Sequence, residues 1–248
     1  MSRLAWSLYY SFYLCGTNKR RKASYQPKKL LKMKRVICLS ILCLLSISSF
    51  GQEFIFCTTK GVKCLYANRD ASGKLINTMT EEVGEKTITG TKQSIIFYYD
   101  FFDKKGKSRF NGEPLKLEGQ MDGNGKIKVK MSPMLKAMKA PDYIVKGNVS
   151  SIPITAKPGD KFPDEDIEID AGISATMHVK DVSVIGEENV TTAAGTFKCI
   201  VVKGAQDLMG EYNTYKTYIC KGTGIIKQEI WDKNGKLVRV FTLEKITR

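Results

Sequence analysis

Cysteine is the residue type in this sequence best suited to covalent or metal chemistry. Of the seven cysteines, four lie beyond position 52: Cys57, Cys64, Cys199 and Cys220. Their thiols could bind zinc or form disulfides. Six residues separate the first two and twenty the last two, whereas structural zinc sites use short C-x2-C pairs, and the one histidine lies elsewhere. The spacing therefore favours disulfides over a metal site.

A single histidine is the one candidate for acid or base catalysis. His178 alternates with Ser174, Thr176 and Lys180 on the polar side of a strand-like pattern, which predicts a solvent-exposed imidazole. No Ser, Cys or Thr nucleophile can be paired with it from the sequence. We therefore predict that the protein is not an enzyme and has no catalytic residue, cofactor or metal.

An acidic segment is the remaining candidate for ligand chemistry. On a strand, Asp166, Glu168 and Asp170 would share one face, an arrangement that could bind a cation weakly. The ligand order of an EF-hand is missing, so a solvated strand face beside a proline-bounded turn is favoured. The segment has six acids in eleven residues: Asp160, Asp164, Glu165, Asp166, Glu168 and Asp170.

The N-terminal part has the three regions of a secretion signal. Residues 33–35 are basic, residues 36–47 are apolar, and Ser49 and Gly51 are small residues where a signal peptidase cleaves, so cleavage before Gln52 is expected. An uncleaved anchor is disfavoured, because the apolar stretch is shorter than the ~20 residues of a spanning helix. We predict a signal peptide at 33–51, preceded at 1–32 by an over-extended start or an extended basic region, and no membrane span in the mature chain.

The basic charge of the chain is concentrated in this same N-terminal part. The chain has 40 Lys and Arg against 25 Asp and Glu, a net charge of +15. Residues 1–51 hold ten of the basic residues and no acid, which leaves 30 basic against 25 acidic residues beyond them. Nucleic acid is therefore not an expected partner.

A period of two runs through most of residues 52–248 and predicts half-buried β-strands. Asp166 to Asp170 alternate strictly, as do residues 173–180. The apolar residues, which lie at odd positions up to Val179, then lie at even positions, Val182 and Val184. A one-residue slip of this kind predicts a β-bulge around Lys180 and Asp181.

Turn residues divide these strands. Asp favours the first position of a type I turn and Gly the left-handed position that follows, so each D-x-x-G-K segment predicts a hairpin. One helix is predicted at Ser132–Lys139, with Met134 and Met138 on one face, either as a plug on the sheet or as a flap over a pocket. The D-x-x-G-K segments are 70–74, 103–107, 122–126 and 232–236.

The segment Ser94 to Phe102 is apolar on both of its faces. Phe97, Tyr99 and Phe101 point one way, and Ile96, Tyr98 and Phe102 the other. Antiparallel strands usually turn one face to water. Such a strand either lies between two layers of the fold or offers a face to a ligand or a partner.

Five stretches of the chain resemble the TapB-like family of exported proteins of Gram-negative bacteria. The family usually has Pro-Ala-Gly-Thr-Phe and an acid before the cysteine, where this sequence has Ala193 and Lys198. The resemblance implies an all-β envelope protein that is not characterised as an enzyme, and it supplies no catalytic residues. The matching stretches are KGVKCLYANRDASGKL (60–75), SPMLKAM (132–138), PGDKFPDEDIEI (158–169), ENVTTAAGTFKCIVVK (188–203) and KGTGIIKQEIWDKNGKL (221–237).

These observations predict one all-β domain at 52–248, with about ten antiparallel strands in a curved meander or half-open barrel and one short helix. For function we expect a non-enzymatic binding or carrier module, exported to the periplasm or cell envelope, that holds an apolar ligand. The alternative is a structural or assembly partner of an envelope protein, acting through an exposed sheet face or edge. The residues expected to contact such a ligand or partner are Phe97, Tyr99, Phe101, Met134 and Met138.

A disulfide between Cys199 and Cys220 follows from the expected strand register. A hairpin that reverses between Met209 and Gly210 would place these two residues opposite each other, close to disulfide reach. Cys57 and Cys64 would then be joined or free. A bond between Cys57 and Cys199 is the alternative that remains open.

Overall fold

The computed structural model describes residues 57–89, 92–121, 127–130, 144–146, 152, 155–170, 174–208 and 210–248. Within these ranges there is no helix, and hence none long and apolar enough to cross a membrane. The helix predicted at Ser132–Lys139, with Met134 and Met138, lies outside the described residues. The strands are β1 (Lys63–Asp70), β2 (Leu75–Thr89), β3 (Lys92–Asp103), β4 (Leu115–Met121), β5 (Ile127–Lys130), β6 (Ile144–Lys146), β7 (Glu165–Asp170), β8 (Ser174–Thr192), β9 (Gly195–Leu208), β10 (Glu211–Cys220), β11 (Gly224–Asp232) and β12 (Leu237–Thr247).

All twelve strands belong to one antiparallel sheet. Its order is β5-β4-β3-β2-β1-β12-β11-β10-β9-β8-β7-β6, so strands that follow each other in the chain are neighbours on both sides of the β1–β12 pair. The sheet is open, with β5 and β6 at its two edges. The predicted all-β antiparallel meander is confirmed, with twelve strands where about ten were expected.

Asp-initiated turns close three of the hairpins. In the first, the backbone N–H of Gly73 donates to the Asp70 carbonyl at 2.9 Å, and the N–H of Asp70 donates to the Lys74 carbonyl at 3.0 Å. Asp70 Oδ1 also accepts from the N–H of Ser72 and of Lys74, and Gly73 has φ +84°. The turns at 103–107 and 232–236 repeat these bonds. The hairpin prediction is confirmed at these three segments, while 122–126 lies outside the described residues.

Strand β8 bends at the predicted bulge. Its register with β9 shifts between Lys180 and Ser183, and Asp181 adopts φ +54°. β8 also approaches β11 and β12, which lie three and four places away in the sheet. The sheet is therefore curled, and it encloses part of its own surface.

The enclosed surface is the hydrophobic core. One cluster of buried side chains runs across the sheet from β3 to β8, on what we call the interior face. On β3 this face carries Phe97, Tyr99 and Phe101, each at most 2% exposed. The opposite side of β3 is half-buried at Ile96, Tyr98 and Phe102. The two-faced apolar pattern of this strand therefore reflects burial on one face and partial cover on the other.

A tyrosine ring lies on a glycine between β9 and β10, in a second buried cluster that contains Tyr215 and Ile230. Gly204 of β9 is directly opposite Tyr215 of β10. A Cβ atom on Gly204 would lie 2.3 Å from the Tyr215 hydroxyl oxygen and 2.5 Å from Cζ. Because Tyr215 is only 2% exposed, its ring has little room to move away.

We expect Gly204→Ala to destabilise the protein by about 1–3 kcal/mol, because the added methyl group overpacks the core against the Tyr215 ring. Gly186→Ala on β8 is the matched control, since nothing lies within 4 Å of a Cβ built there. Thermal denaturation of both variants tests this. Equal melting temperatures for the two variants would show that the Tyr215 ring moves aside without loss of stability.

Candidate functional site

The interior face carries an unusual number of polar side chains. Three pairs lie directly opposite each other on neighbouring strands, within β1–β2, β9–β10 and β10–β11. All six side chains are buried, at most 4% exposed. Burial of a polar group costs free energy unless a hydrogen bond replaces its lost water. These interior polar pairs are Asn68–Asn77, Gln206–Asn213 and Thr217–Gln228.

Gln228 is the most enclosed member of these pairs. Its amide nitrogen donates a hydrogen bond to Thr217 Oγ1 at 2.8 Å. Its residue exposure is 0%, and its carbonyl oxygen Oε1 has no hydrogen-bond partner within the described part of the chain. The side chain thus presents an uncompensated acceptor to the protein interior.

Two of the interior polar pairs belong to one continuous row across five strands. Asn77 pairs with Asn68, Asn68 with Phe241, Phe241 with Gln228, and Gln228 with Thr217. We call these five residues the polar row. On the side away from the Asp-initiated turns the neighbouring row is apolar, with Met79, Tyr66 and Leu243 in register. The interior face therefore has a polar level and, next to it, an apolar level.

A buried acid lies deeper in the apolar part. Glu81 of β2 is 3% exposed, and the hydroxyl of Tyr99 on β3 donates to its Oε2 at 2.8 Å. Burial raises the pKa of Glu81 above its usual range, against the lowering effect of the Tyr99 bond. The sequence placed Tyr99 on this face but gave no sign that it would hold a carboxyl group.

The four cysteines of the described chain are free thiols. Burial, with the nearby Glu81 carboxylate second, raises the pKa of Cys64 to about 12. Burial, with the neighbouring Cys220 thiol second, raises the pKa of Cys199 to about 12. A nucleophilic cysteine needs a lowered pKa, so Cys64 and Cys199 are poorly suited to that role.

The hairpin register predicted for β9 and β10 is confirmed. Pairing runs from Glu211 and Leu208 at the turn to Ile219 and Ile200. One step further along the same register lie Cys220 and Cys199. The structure has no bond between their sulfur atoms, and Cys199 Sγ donates instead to the Phe197 carbonyl at 3.6 Å. The disulfide stays a prediction.

The remaining predicted site residues fall in three places. Phe97, Tyr99 and Phe101 lie on the interior face, so this side of β3 is not an exposed surface for a partner. Met134 and Met138 lie outside the described residues. Cys57 is half-buried and packs against the core cluster.

His178 and the acidic segment lie on the outer surface. His178 Nδ1 is 2.6 Å from Asp166 Oδ1 across the β7–β8 pair, and both side chains are exposed. Asp164 accepts from the Asp181 N–H at 3.1 Å, and Asp160 from the Lys157 N–H at 2.9 Å. Two of the acids therefore accept hydrogen bonds from the backbone of the bulge and the turn. Where the structure is described, no group of three His, Cys, Asp or Glu side chains is arranged to hold a metal ion.

The interior polar pairs were missed from the sequence, although a signal was present. Gln228 lies two residues from both Ile226 and Ile230 and therefore on the same face of its strand, and Asn77 lies two residues from Met79. A polar residue at a position where the period of two requires an apolar one is the pattern that would have revealed them.

We expect Cys199 and Cys220 to form a disulfide when the protein is exported into an oxidising compartment. Closing this loop of about twenty residues would add ~3 kcal/mol to the free energy of unfolding in the chain-entropy model. Peptide mapping under non-reducing conditions measures the cross-link. Alkylation of both thiols without prior reduction, or their recovery in separate cross-links, would contradict the expectation.

We expect Glu81→Gln to stabilise the protein increasingly as pH rises. A carboxyl group whose pKa is higher in the folded state contributes most to the free energy of unfolding below its unfolded pKa of roughly 4.3. This contribution is lost as the pH rises through the pKa of the folded state. Glutamine keeps an acceptor for Tyr99 and cannot ionise. The gain is about 1.4 kcal/mol for each unit of the pKa difference.

Urea denaturation of both proteins from pH 4 to 9 measures this difference. Glu82→Gln is the control, because Glu82 is exposed on the opposite face, 3.3 Å from Lys63 Nζ. A constant difference between Glu81→Gln and the wild type across this range would show that Glu81 ionises normally.

Two solved structures share the fold over their whole length. One is a proposed exported protein with a YmcC-like fold from Bacteroides fragilis, with a TM-score of 0.59 and 20% identity, covering 79% of this chain and 100% of its own. The other is a proposed lipoprotein from Parabacteroides distasonis, with a TM-score of 0.58 and 20% identity, covering 80% of this chain and 100% of its own. At this identity the likeness shows the fold alone.

The search of curated proteins gave no match. A family model does match, over residues 59–243, which include every described strand except the end of β12. That range contains the interior polar pairs and the curled sheet that encloses them. The chain belongs to the DUF3108-like family.

Proposed function

We propose that this protein is a non-enzymatic binding or carrier module of the bacterial cell envelope, and that it holds an apolar ligand on the interior face of its curled sheet. The observation that carries the proposal is the core itself. One cluster of buried side chains is enclosed by a single sheet that bends back on itself. Small β-barrels and half-barrels bind ligands in such an interior.

Export is supported by the sequence and by the structural relatives. Residues 33–51 have the basic, apolar and cleavage regions of a signal peptide. The two relatives with the same fold are described as an exported protein and a lipoprotein. A binding module delivered to the envelope would meet lipids and other apolar molecules there.

A non-enzymatic role is supported by the chemistry of the described side chains. Burial raises the pKa of Cys64 and Cys199, which disfavours nucleophilic thiolates. His178 is exposed and contacts Asp166. The carboxyl group of Glu81 is bound by Tyr99 within the core.

The alternative function, as an assembly partner, is favoured by the two open edges of the sheet. An unpaired edge can accept a strand from another protein. Within the described residues the edge strands are short, however, with four residues in β5 and three in β6. Short edge strands are one way in which proteins prevent edge-to-edge association, so the interior is the stronger candidate.

We expect the purified protein to bind N-phenyl-1-naphthylamine, an apolar dye whose fluorescence rises in an apolar environment. Met79→Trp should weaken this binding severalfold, because Met79 is buried on the interior face and the larger ring fills that space. Thr78→Trp is the matched control, since the adjacent side chain points to the opposite face.

Native mass spectrometry of the same preparation separates the two functions. A co-purifying apolar small molecule supports the carrier function, and a stable complex with an envelope protein supports the alternative. Absence of dye binding, or equal loss of binding in both tryptophan variants, would contradict a site on the interior face.

A further inference from the structure

We infer that the ligand is a neutral amphiphile whose hydroxyl or amide group donates a hydrogen bond to Gln228 Oε1, with its apolar chain directed away from the polar row. This inference rests on the proposed function and specifies the chemistry of the same site. It depends on an acceptor that the described chain leaves without a partner.

The position of Gln228 explains why a ligand group is needed there. Its residue exposure is 0%, so bulk water does not reach the side chain. The Gln228 amide nitrogen donates a hydrogen bond to Thr217 Oγ1. The carbonyl oxygen is then left facing the interior without a donor, and a buried acceptor in that state destabilises the fold.

The surroundings of Gln228 define the charge of the ligand group. Its partners across the ladder are Phe241 and Thr217, which carry no charge. A charged group would lose far more hydration free energy on entering this level than a hydroxyl or an amide. The group that best satisfies the carbonyl oxygen is therefore a neutral N–H or O–H donor.

The direction of the apolar chain follows from the next levels of the sheet. Met79, Tyr66 and Leu243 lie in the adjacent row, and Val83 and Phe97 pair beyond the level of Glu81. All five are buried. In this direction an alkyl chain that begins at the polar row meets buried side chains of β1, β2, β3 and β12, whereas towards the Asp-initiated turns the single level of Tyr215 and Ile230 is followed by the polar pair Gln206–Asn213.

The inference is tested with 1-dodecanol and its methyl ether, 1-methoxydodecane, as competitors of the dye. The two probes have the same alkyl chain and both carry an acceptor oxygen, but only the alcohol carries a donor. We expect the alcohol to bind about tenfold more tightly to the wild-type protein. In Gln228→Leu this preference should fall to about one, with the affinity for the ether retained.

Gln206→Leu is the matched control, because it makes the same chemical change at another interior polar pair, and it should keep the tenfold preference. Equal binding of alcohol and ether by the wild type would overturn the inference and leave the proposed function standing. Displacement of the dye by neither probe would overturn both. If Gln228→Leu does not fold, as circular dichroism would reveal, the ratio of the two affinities in the wild type still tests whether the site requires a hydrogen-bond donor.

Discussion

The pairing of β1 with β12 is the constraint on which the rest of the structure depends. It joins the first five strands and the last seven into one sheet, and it pairs residues that lie 169 to 184 positions apart in the chain. Side-chain contacts on both faces of the sheet stabilise this β1–β12 pair, which we call the seam. Tyr66 stacks on Phe241 inside, with ring centroids 4.8 Å apart, and Arg69 binds Glu244 at 2.6 Å outside. Without the seam, each half would expose an additional long edge and half of the core.

The seam also places the candidate site. The polar row crosses it, since Asn68 belongs to β1 and Phe241 to β12. Asn77 and Gln228 come from opposite halves of the chain, and only the closed seam sets them in one row. A ligand at Gln228 would therefore contact both meanders, and its binding would stabilise their junction by mass action.

Local features of the fold could be predicted from the sequence, and the distant ones could not. The Asp-initiated turns, the bulge at Lys180 and Asp181, and the chain reversal that pairs Leu208 with Glu211 each depend on a few neighbouring residues. The β1–β12 seam joins segments with no local signal for each other, so the topology stayed open. Within the site, the period of two predicts that Phe97, Tyr99 and Phe101 share one buried face, whereas residue type does not predict that Glu81 and Gln228 face inwards, because polar side chains usually face water.

The interior polar pairs also have a structural role, and this role uses different side-chain atoms from the proposed binding role. A strand that slipped by two residues would keep its apolar face inside but would place Asn68 opposite an apolar residue instead of Asn77. Paired polar residues therefore favour one register, as buried polar groups do in other folds. This role accounts for the bond from the Gln228 amide nitrogen to Thr217. It does not account for the carbonyl oxygen of the same side chain, which pairs with neither neighbouring strand. A residue that served the register alone could be a threonine, whose single hydroxyl would bond across the ladder and leave no second polar atom without a partner. The amide nitrogen of Gln228 stabilises the strand pairing, whereas its carbonyl oxygen faces the interior, where a bound molecule would donate to it.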